Sequence, residues 1–231
     1  MTMRDMKQSR KFYISVEGVN CEKLYFEHLS NLINSSDTSK YKLAISPRVA
    51  SPMDFAKRNV QHSKEAKKKD TKYPFIHIQD IEDYHDVTQK KKFRQLIDEI
   101  RKAEDEFKIT YALGYSNYTF ELWMLLHVAD VDFSVGNRYS YLQLINTHFK
   151  RSYKKLDEYK SAEEFQGILD EFITLDSVFV AIDHAQVISE RNKIQGKQEE
   201  YRHFKFFQDN PDTTVHSVIK IIFDACKVRR P

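Results

Sequence analysis

Glycine and proline are scarce, with five of each among 231 residues. That scarcity excludes a collagenous or low-complexity chain. It also argues against a many-turned β-sandwich, which needs tight-turn residues at short intervals. Cysteine is scarcer still. Cys21 and Cys226 stand near opposite ends with no C-x-x-C spacing. Neither a zinc ribbon nor a redox pair is therefore indicated, and two free thiols suit a reducing cytosol. No run of about 18 apolar residues occurs, so no membrane span is expected. The opening "MTMRDMKQSRK" is charged and lacks the apolar stretch of a signal peptide. The phosphate-cradling G-x-x-x-x-G-K-[ST] loop is missing, which excludes ATP hydrolysis by that route. Neither sign of charge dominates: 37 basic residues face 34 acidic ones, for a net +3. That sum implies no nucleic-acid partner by itself, since the distribution of charge matters more. These exclusions leave a soluble cytoplasmic protein as the expectation.

What is present is apolar mass. The 41% hydrophobic content, with 16 Phe and 13 Tyr, allows a sizeable core. The length fits one large domain, or one domain with an appended part. Strand-like runs alternate with helix-like ones. "FYISVEG" (12–18), "YKLAIS" (41–46), "YPFIHIQ" (73–79) and "KITYALGYS" (108–116) read as four strands. Between them, "CEKLYFEHLSNLI", "SPMDFAKRNVQHSKEAKKK" and "TQKKKFRQLIDEIRKAEDEF" read as helices. Ser51 and Thr88 are the expected N-caps, and Pro52 is expected at a first helical position. "FELWMLLH" is apolar almost all round, hence a buried helix, with Asn117 as its expected cap. The alternation implies an α/β fold with a mainly parallel, four-stranded sheet over residues 1–130. Residues 131–231 read as a mostly helical extension packed on that core, with Asp212 or Thr213 capping the last helix.

The carboxylates carry the chemistry. "FIHIQDIEDYHD" opens as a strand and ends in Asp80, Glu82, Asp83 and Asp86. Clustered carboxylates repel one another and are costly to desolvate, so packing gives no reason for them, whereas a divalent cation does. Glu17 closes the first strand and Asp80 the third. In parallel sheets, ligand sites lie outside the carboxyl ends of strands. Hard oxygen ligands of this kind suit Mg²⁺ or Mn²⁺. Gly18 lets the backbone turn sharply after Glu17. Glu121, inside an apolar helix, either faces the metal site or pairs locally. His127 reads as a hydrogen-bonded interior histidine, off the face of Glu121.

Four blocks, "ISVEGVNCEKLYFEHL", "IQDIED", "YSNYTFELWMLLH" and "NPDTTVHSVIKII", together resemble the RloB-like proteins, with "SN-x-x-FELW-x-LLH" the most specific. That resemblance implies a Toprim-type, Rossmannoid core of the kind found in phage-defence and abortive-infection nucleases, related in outline to OLD-type, AbiL and PARIS effectors. It implies a Mg²⁺-dependent cut of a phosphodiester in RNA, perhaps tRNA, or DNA. Glu17 matches the first-strand glutamate and Asp80 the leading residue of the D-x-D. The trailing position is Glu82, a departure from Asp, with Asp83 as an alternative ligand. Glu121 matches the FELW glutamate as a further ligand or supporting group. Catalytic work then falls to Glu17, Asp80 and Glu82, with Glu17 as ligand or general base. A separate ABC-type or AAA-like ATPase subunit is expected from the resemblance alone.

Basic stretches are compatible with a nucleic-acid partner. Lys57, Arg58, Lys64, Lys67, Lys68 and Lys69 fall on the second helix, and Lys90, Lys91, Lys92 and Arg94 open the third. "FKRSYKK" adds Lys150, Arg151, Lys154 and Lys155, interleaved with Phe149 and Tyr153. Such clusters hold phosphates through counterion release, and aromatics stack on bases. Any one of them also reads as a solvated helix face. Two further readings remain open: a binding or regulatory module that has lost catalysis, and a primase-like or topoisomerase-like strand handler.

Overall fold

The computed structural model describes residues 8–62, 73–131, 134–196, 198–209 and 211–230. Its centre is a sheet of five strands: β2 (Ile14–Val16), β4 (Arg48–Val49), β5 (Phe75–Asp80), β6 (Tyr111–Asn117) and β9 (Asp212–Thr213). They lie in the order β4-β2-β5-β6-β9. All pairs are parallel except β6 with β9. A separate parallel pair joins β1 (Ser9–Lys11) to β3 (Lys42–Ala44), and β7 (Gln198–Tyr201) and β8 (Phe204–Phe207) form a hairpin.

This differs from the four-stranded expectation in two ways. The "YKLAIS" strand pairs with β1 outside the main sheet, and the two residues Arg48–Val49 take the edge beside β2. At the opposite edge, a segment expected to cap a helix extends the sheet instead: Ser116 registers with Thr213 and Asn117 with Asp212. The last helix, α9 (Val215–Cys226), therefore starts after Thr214.

Side chains of β5 alternate between two faces, the signature of a sheet covered on both sides. Phe75 packs with Phe55, Ile100 and Tyr111 under α2 (Pro52–His62) and α3 (Val87–Phe107). Ile76 and Ile78 point the other way, into the cluster built by α1 (Cys21–Ser35), α4 (Glu121–Leu125) and α9. The same cluster takes in α5 (Tyr141–His148), α6 (Leu156–Tyr159), α7 (Ala162–Phe172) and α8 (Leu175–Ile194). Residues beyond 131 thus share one core with the strands before them and contribute β9 to their sheet. No helix among the described residues is long and apolar enough to cross a membrane.

Local chemistry explains several boundaries. Ser51 Oγ accepts from Asp54 N, as expected of a cap before Pro52. For α3 the cap is Asp86, whose carboxylate accepts from Thr88 N and Gln89 N, so Thr88 lies inside the helix. Asn117 ends β6 rather than capping α4, and its amide donates to the carbonyls of Phe207 and Asp209. The β7–β8 hairpin escapes sequence inspection because its turn has no glycine. Arg202 takes the left-handed conformation there, at φ 59°, a rare choice for a non-glycine residue.

Gly114 sets the distance between β6 and α9. A Cβ there would sit 2.8 Å from Ile78 Cδ1 and 3.2 Å from Val218 Cγ2. Both neighbours are buried, so neither yields freely. Gly114→Ala is expected to lower unfolding free energy by about 1–3 kcal/mol, the usual range for overpacking. Urea denaturation measures this, and a midpoint equal to wild type would refute it.

Candidate metal centre

Strands β2 and β5 are neighbours in parallel register, with Val16 opposite Ile78. β2 ends at Val16 and β5 runs two residues further, to Asp80, so Glu17 and Asp80 come to the same edge. Glu17 N donates to Ile78 O at 3.1 Å, and Glu17 Oε2 accepts from Asp80 N at 3.1 Å. The same oxygen accepts from the Gln79 side-chain amide. Behind Gln79 runs a chain of polar groups. His77 Nε2 lies 3.2 Å from Gln79 Oε1, and His77 Nδ1 lies 2.8 Å from Ser15 Oγ. Because Gln79 donates to Glu17 through nitrogen, its oxygen accepts, which requires His77 to carry its proton on Nε2 and to accept from Ser15. Burial pushes the His77 pKa down to about 4, so the ring stays neutral and the chain keeps one polarity.

Three more carboxylates face this edge. Glu22 stands in the first turn of α1 and is 4% exposed; Glu121, at the start of α4, is 1% exposed. Glu121 accepts from Thr119 Oγ1 and from Lys160 Nζ, the latter at 2.9 Å. Asp80 lies between them, with Oδ1 sealed from solvent and without a hydrogen-bond partner. Burial, reinforced by the charges of Glu22, Glu121 and Glu17, holds the Asp80 pKa well above the usual carboxylate range, against the pull of Lys160. Burial likewise raises Glu22 to about 7, reinforced by Glu121 and Glu17 and opposed by its own backbone N–H and by Lys160. Loss of solvent around its carboxylate raises the Glu17 pKa, with Glu82 adding to the shift and the Asp80 N–H, Arg138 and Lys92 opposing it. Gly18 makes the arrangement possible, because a Cβ at that position would lie 1.8 Å from Glu22 Oε2.

Two cavities of about 310 and 280 Å³ flank Asp80, and both are lined by Glu17, Asp80 and Glu82. Glu82 is half-exposed and pairs with Arg138 at 2.7 Å. Asp83 points elsewhere: its carboxylate accepts from His85 N in its own turn, and it lines neither cavity. Glu17, Asp80, Glu82 and Glu121 are thus gathered at one edge, and Asp83 is not. His127 is interior, as expected, between the Trp123 carbonyl at 2.9 Å and Tyr25 Oη at 3.1 Å.

The donor set fits a hard divalent cation: several carboxylates, one with a buried and unpartnered oxygen, at the carboxyl end of parallel strands. Among the described residues no three metal-ligating side chains are drawn close enough to chelate an ion together. The Lys160 ammonium and the Gln79 amide satisfy carboxylates that a cation would otherwise serve.

The expected nucleic-acid residues fare differently. Lys67 and Lys68 lie outside the described residues. Lys90 pairs with Glu199 at 3.8 Å and covers the Tyr84 ring. Arg151 pairs with Glu171 at 2.6 Å. Lys150 and Lys154 are exposed, but Phe149 is wholly buried and Tyr153 is bonded to Glu164, so the interleaved aromatics offer little stacking surface. Glu22, Arg138, Lys160 and the His77–Gln79 support escaped the sequence reading. Lys160 follows α6, far along the chain, and nothing local marks it.

The raised pKa of Glu22 has a definite sign for stability. A carboxyl that holds its proton more tightly when folded contributes stability below its unfolded value of 4.5, lost as pH rises through about 7. With EDTA present, Glu22→Gln is expected to stabilise the protein at pH 8 by about 2–3 kcal/mol, with the gain shrinking toward pH 4.5. Denaturant titrations at the two pH values test this; an equal or negative effect at pH 8 would contradict the crowding of charge.

Searches of curated proteins and of solved structures returned no match to this chain. The model of one family, described as "RloB-like protein", matches residues 12–222, which include every strand of the central sheet and all the clustered carboxylates. The chain belongs to the RloB-like family.

Proposed function

We propose that the chain is a divalent-cation-dependent nuclease cleaving phosphodiesters of RNA, tRNA included, or of DNA. On this reading it is an effector of phage defence by abortive infection, acting beside a separate ABC-type or AAA-like ATPase subunit. One observation carries the chemistry: Asp80 holds a buried, unpartnered oxygen among Glu17, Glu22 and Glu121. A fold tolerates that repulsion where function needs the charge. The defence setting is supported by family membership together with the resemblance to Toprim-type effectors.

Mg²⁺, or Mn²⁺ in its stead, would be held by Glu17 and Asp80 with Glu22 or Glu82, and when bound would polarise the scissile phosphate and acidify an attacking water. The side chains divide the remaining work. Glu17 sits at the rim, where it serves either as a ligand of the ion or as the base that accepts a proton from the water. Arg138 and Lys92 border the cleft and are the candidates for gripping phosphate oxygens. Lys160 pairs with Glu121 and holds it in place. Gln79, oriented by His77, fixes the Glu17 carboxylate.

A nucleic-acid-binding or regulatory module without catalysis is the alternative. It is favoured by the pairing of Glu82 with Arg138 and of Glu121 with Lys160, which meets part of the charge without a cation.

Incubation with tRNA, single-stranded RNA, and single-stranded and duplex DNA, with Mg²⁺ or Mn²⁺, separates the two. Cleavage of at least one class is expected, falling by about 100-fold or more in Glu17→Ala and Asp80→Ala. Mn²⁺ should raise the wild-type melting temperature and leave Asp80→Asn unmoved. Cleavage persisting in both alanine variants would sink the site. Nucleic-acid binding with no metal effect would establish the module.

A further inference from the structure

We propose that a basic groove adjoining the carboxylate cleft is the path along which single-stranded nucleic acid reaches it; this rests on the nuclease reading above. The groove is a cavity of about 700 Å³ at the β4 edge of the sheet, between the loop after β2 and helix α2. Lys11, Lys23, Arg48 and Arg58 line it, and no carboxylate does. Val19, two residues after Glu17, lines both this groove and the cleft beside Asp80, so the two open onto one turn.

Of its four cations only Arg58 belongs to the basic stretches that sequence inspection favours. Lys90 and Arg151 are committed to Glu199 and Glu171. Arg48 and Arg58 are exposed, and among the described residues neither forms an ion pair with a carboxylate. Lys23 has only a long contact with Glu27, at 4.0 Å between two half-exposed side chains. Lys11 rests over the Tyr13 ring, 4.9 Å from its centroid. Guanidinium groups with no ion-pair partner among the described residues are available for bidentate contact with phosphate.

The groove is also apolar where a charged surface would ordinarily be polar. Val19 is 72% exposed and Val49 49% exposed at its borders, and Tyr13 lines it with its ring stacked on the buried Phe75 behind and covered by the Lys11 ammonium. A duplex offers this surface only phosphates and keeps its base faces stacked inside. A single strand presents phosphates to the four cations and base faces to the exposed Val19 and Val49, so charge and an apolar surface meet it together. Such contacts place the strand; bond cleavage stays with the carboxylates.

The test is fluorescence anisotropy with labelled 12-mer oligonucleotides, single-stranded RNA, single-stranded DNA and duplex DNA, in EDTA so that no bond is cut. The wild-type protein should bind a single strand more tightly than the duplex. Arg48→Gln/Arg58→Gln should weaken single-strand binding tenfold or more, and the slope of log K against log salt should become shallower by about 1.4, the value for two lost phosphate contacts on a single strand. Lys102→Gln/Lys205→Gln, which removes two exposed cations elsewhere, should change neither. Unaltered affinity and slope in the arginine variant would overturn the proposal, as would preferential duplex binding or a loss shared equally by the control pair. Cleavage separates the two levels of the argument. If the groove is wrong and the nuclease reading right, the arginine variant cleaves with wild-type KM. If the groove is right and the nuclease reading wrong, the wild type binds through these arginines and cuts nothing.

Discussion

The structure turns on a repulsion it does not relieve. Glu17, Glu22, Asp80 and Glu121 come from four elements and converge on one sheet edge, and Asp80 Oδ1 is left there without a donor. Desolvated like charges oppose folding. What opposes them in turn is modest: the Lys160 ammonium, the Thr119 hydroxyl, the Gln79 amide, and the N-terminal backbone of α1 beneath Glu22. Lys160 is itself anchored, since its carbonyl accepts from the Asn20 amide at 3.0 Å, in the loop between Glu17 and Glu22. The end of α6 and the loop after β2 are therefore coupled through the cluster. Wherever one of these elements moves, the balance of charge at Asp80 moves with it.

Rigidity at that edge comes from polar side chains crossing the sheet. Ser15, His77 and Gln79 form one line toward Glu17. A second line lies beneath β9, where Tyr115 donates to Asp212, Asn192 donates to the same carboxylate at 3.2 Å, and Tyr115 Oη accepts from Phe207 N at 3.0 Å. Burial raises the Asp212 pKa to about 6, against these donors. The antiparallel edge strand, the hairpin and helix α8 are thus tied together by a single buried carboxylate. Buried networks of this kind stabilise only when every member is satisfied. This one largely is, in contrast to the cluster around Asp80.

What could be read from the residues depended on how local the cause was. Glu17 and Asp80 were legible because strand periodicity alone puts both at carboxyl ends, and parallel pairing of β2 with β5 brings them together. Between Glu82 and Asp83 the residues left a choice. Ile81 is 2% exposed and turns inward, so the next side chain swings back toward the cleft and Asp83 faces its own turn. Glu22 looked like an ordinary first-turn acid, because burial is a property of the packed molecule and not of a helix. Lys160 had no local signature at all. Pairing in the basic runs was hidden for the same reason: Glu199 and Glu171, the partners of Lys90 and Arg151, are remote in sequence, and Phe149, which looked like a stacking ring, belongs to the core. Asp212 and Thr213 carried a helix-cap signature, and sheet pairing with β6 outcompeted it.

A near-neutral total charge conceals a steep internal separation. Carboxylates occupy one side of the turn at Glu17–Val19, and cations line the other, of which Arg48 and Arg58 form no ion pair among the described residues. A polyanion drawn to the arginines is repelled by the carboxylates next to them, and the repulsion is greatest when nothing neutralises Asp80. Under the nuclease reading this makes cation and nucleic acid mutually dependent ligands. A divalent ion removes the local repulsion, and a phosphate supplies the ion with oxygens that the carboxylates alone do not bring within reach. By linkage, whatever factor one ligand contributes to the affinity of the other is returned in equal measure. On that reading, an incomplete chelate beside a cationic groove is coherent as one device: a centre that assembles fully only when both ligands are present.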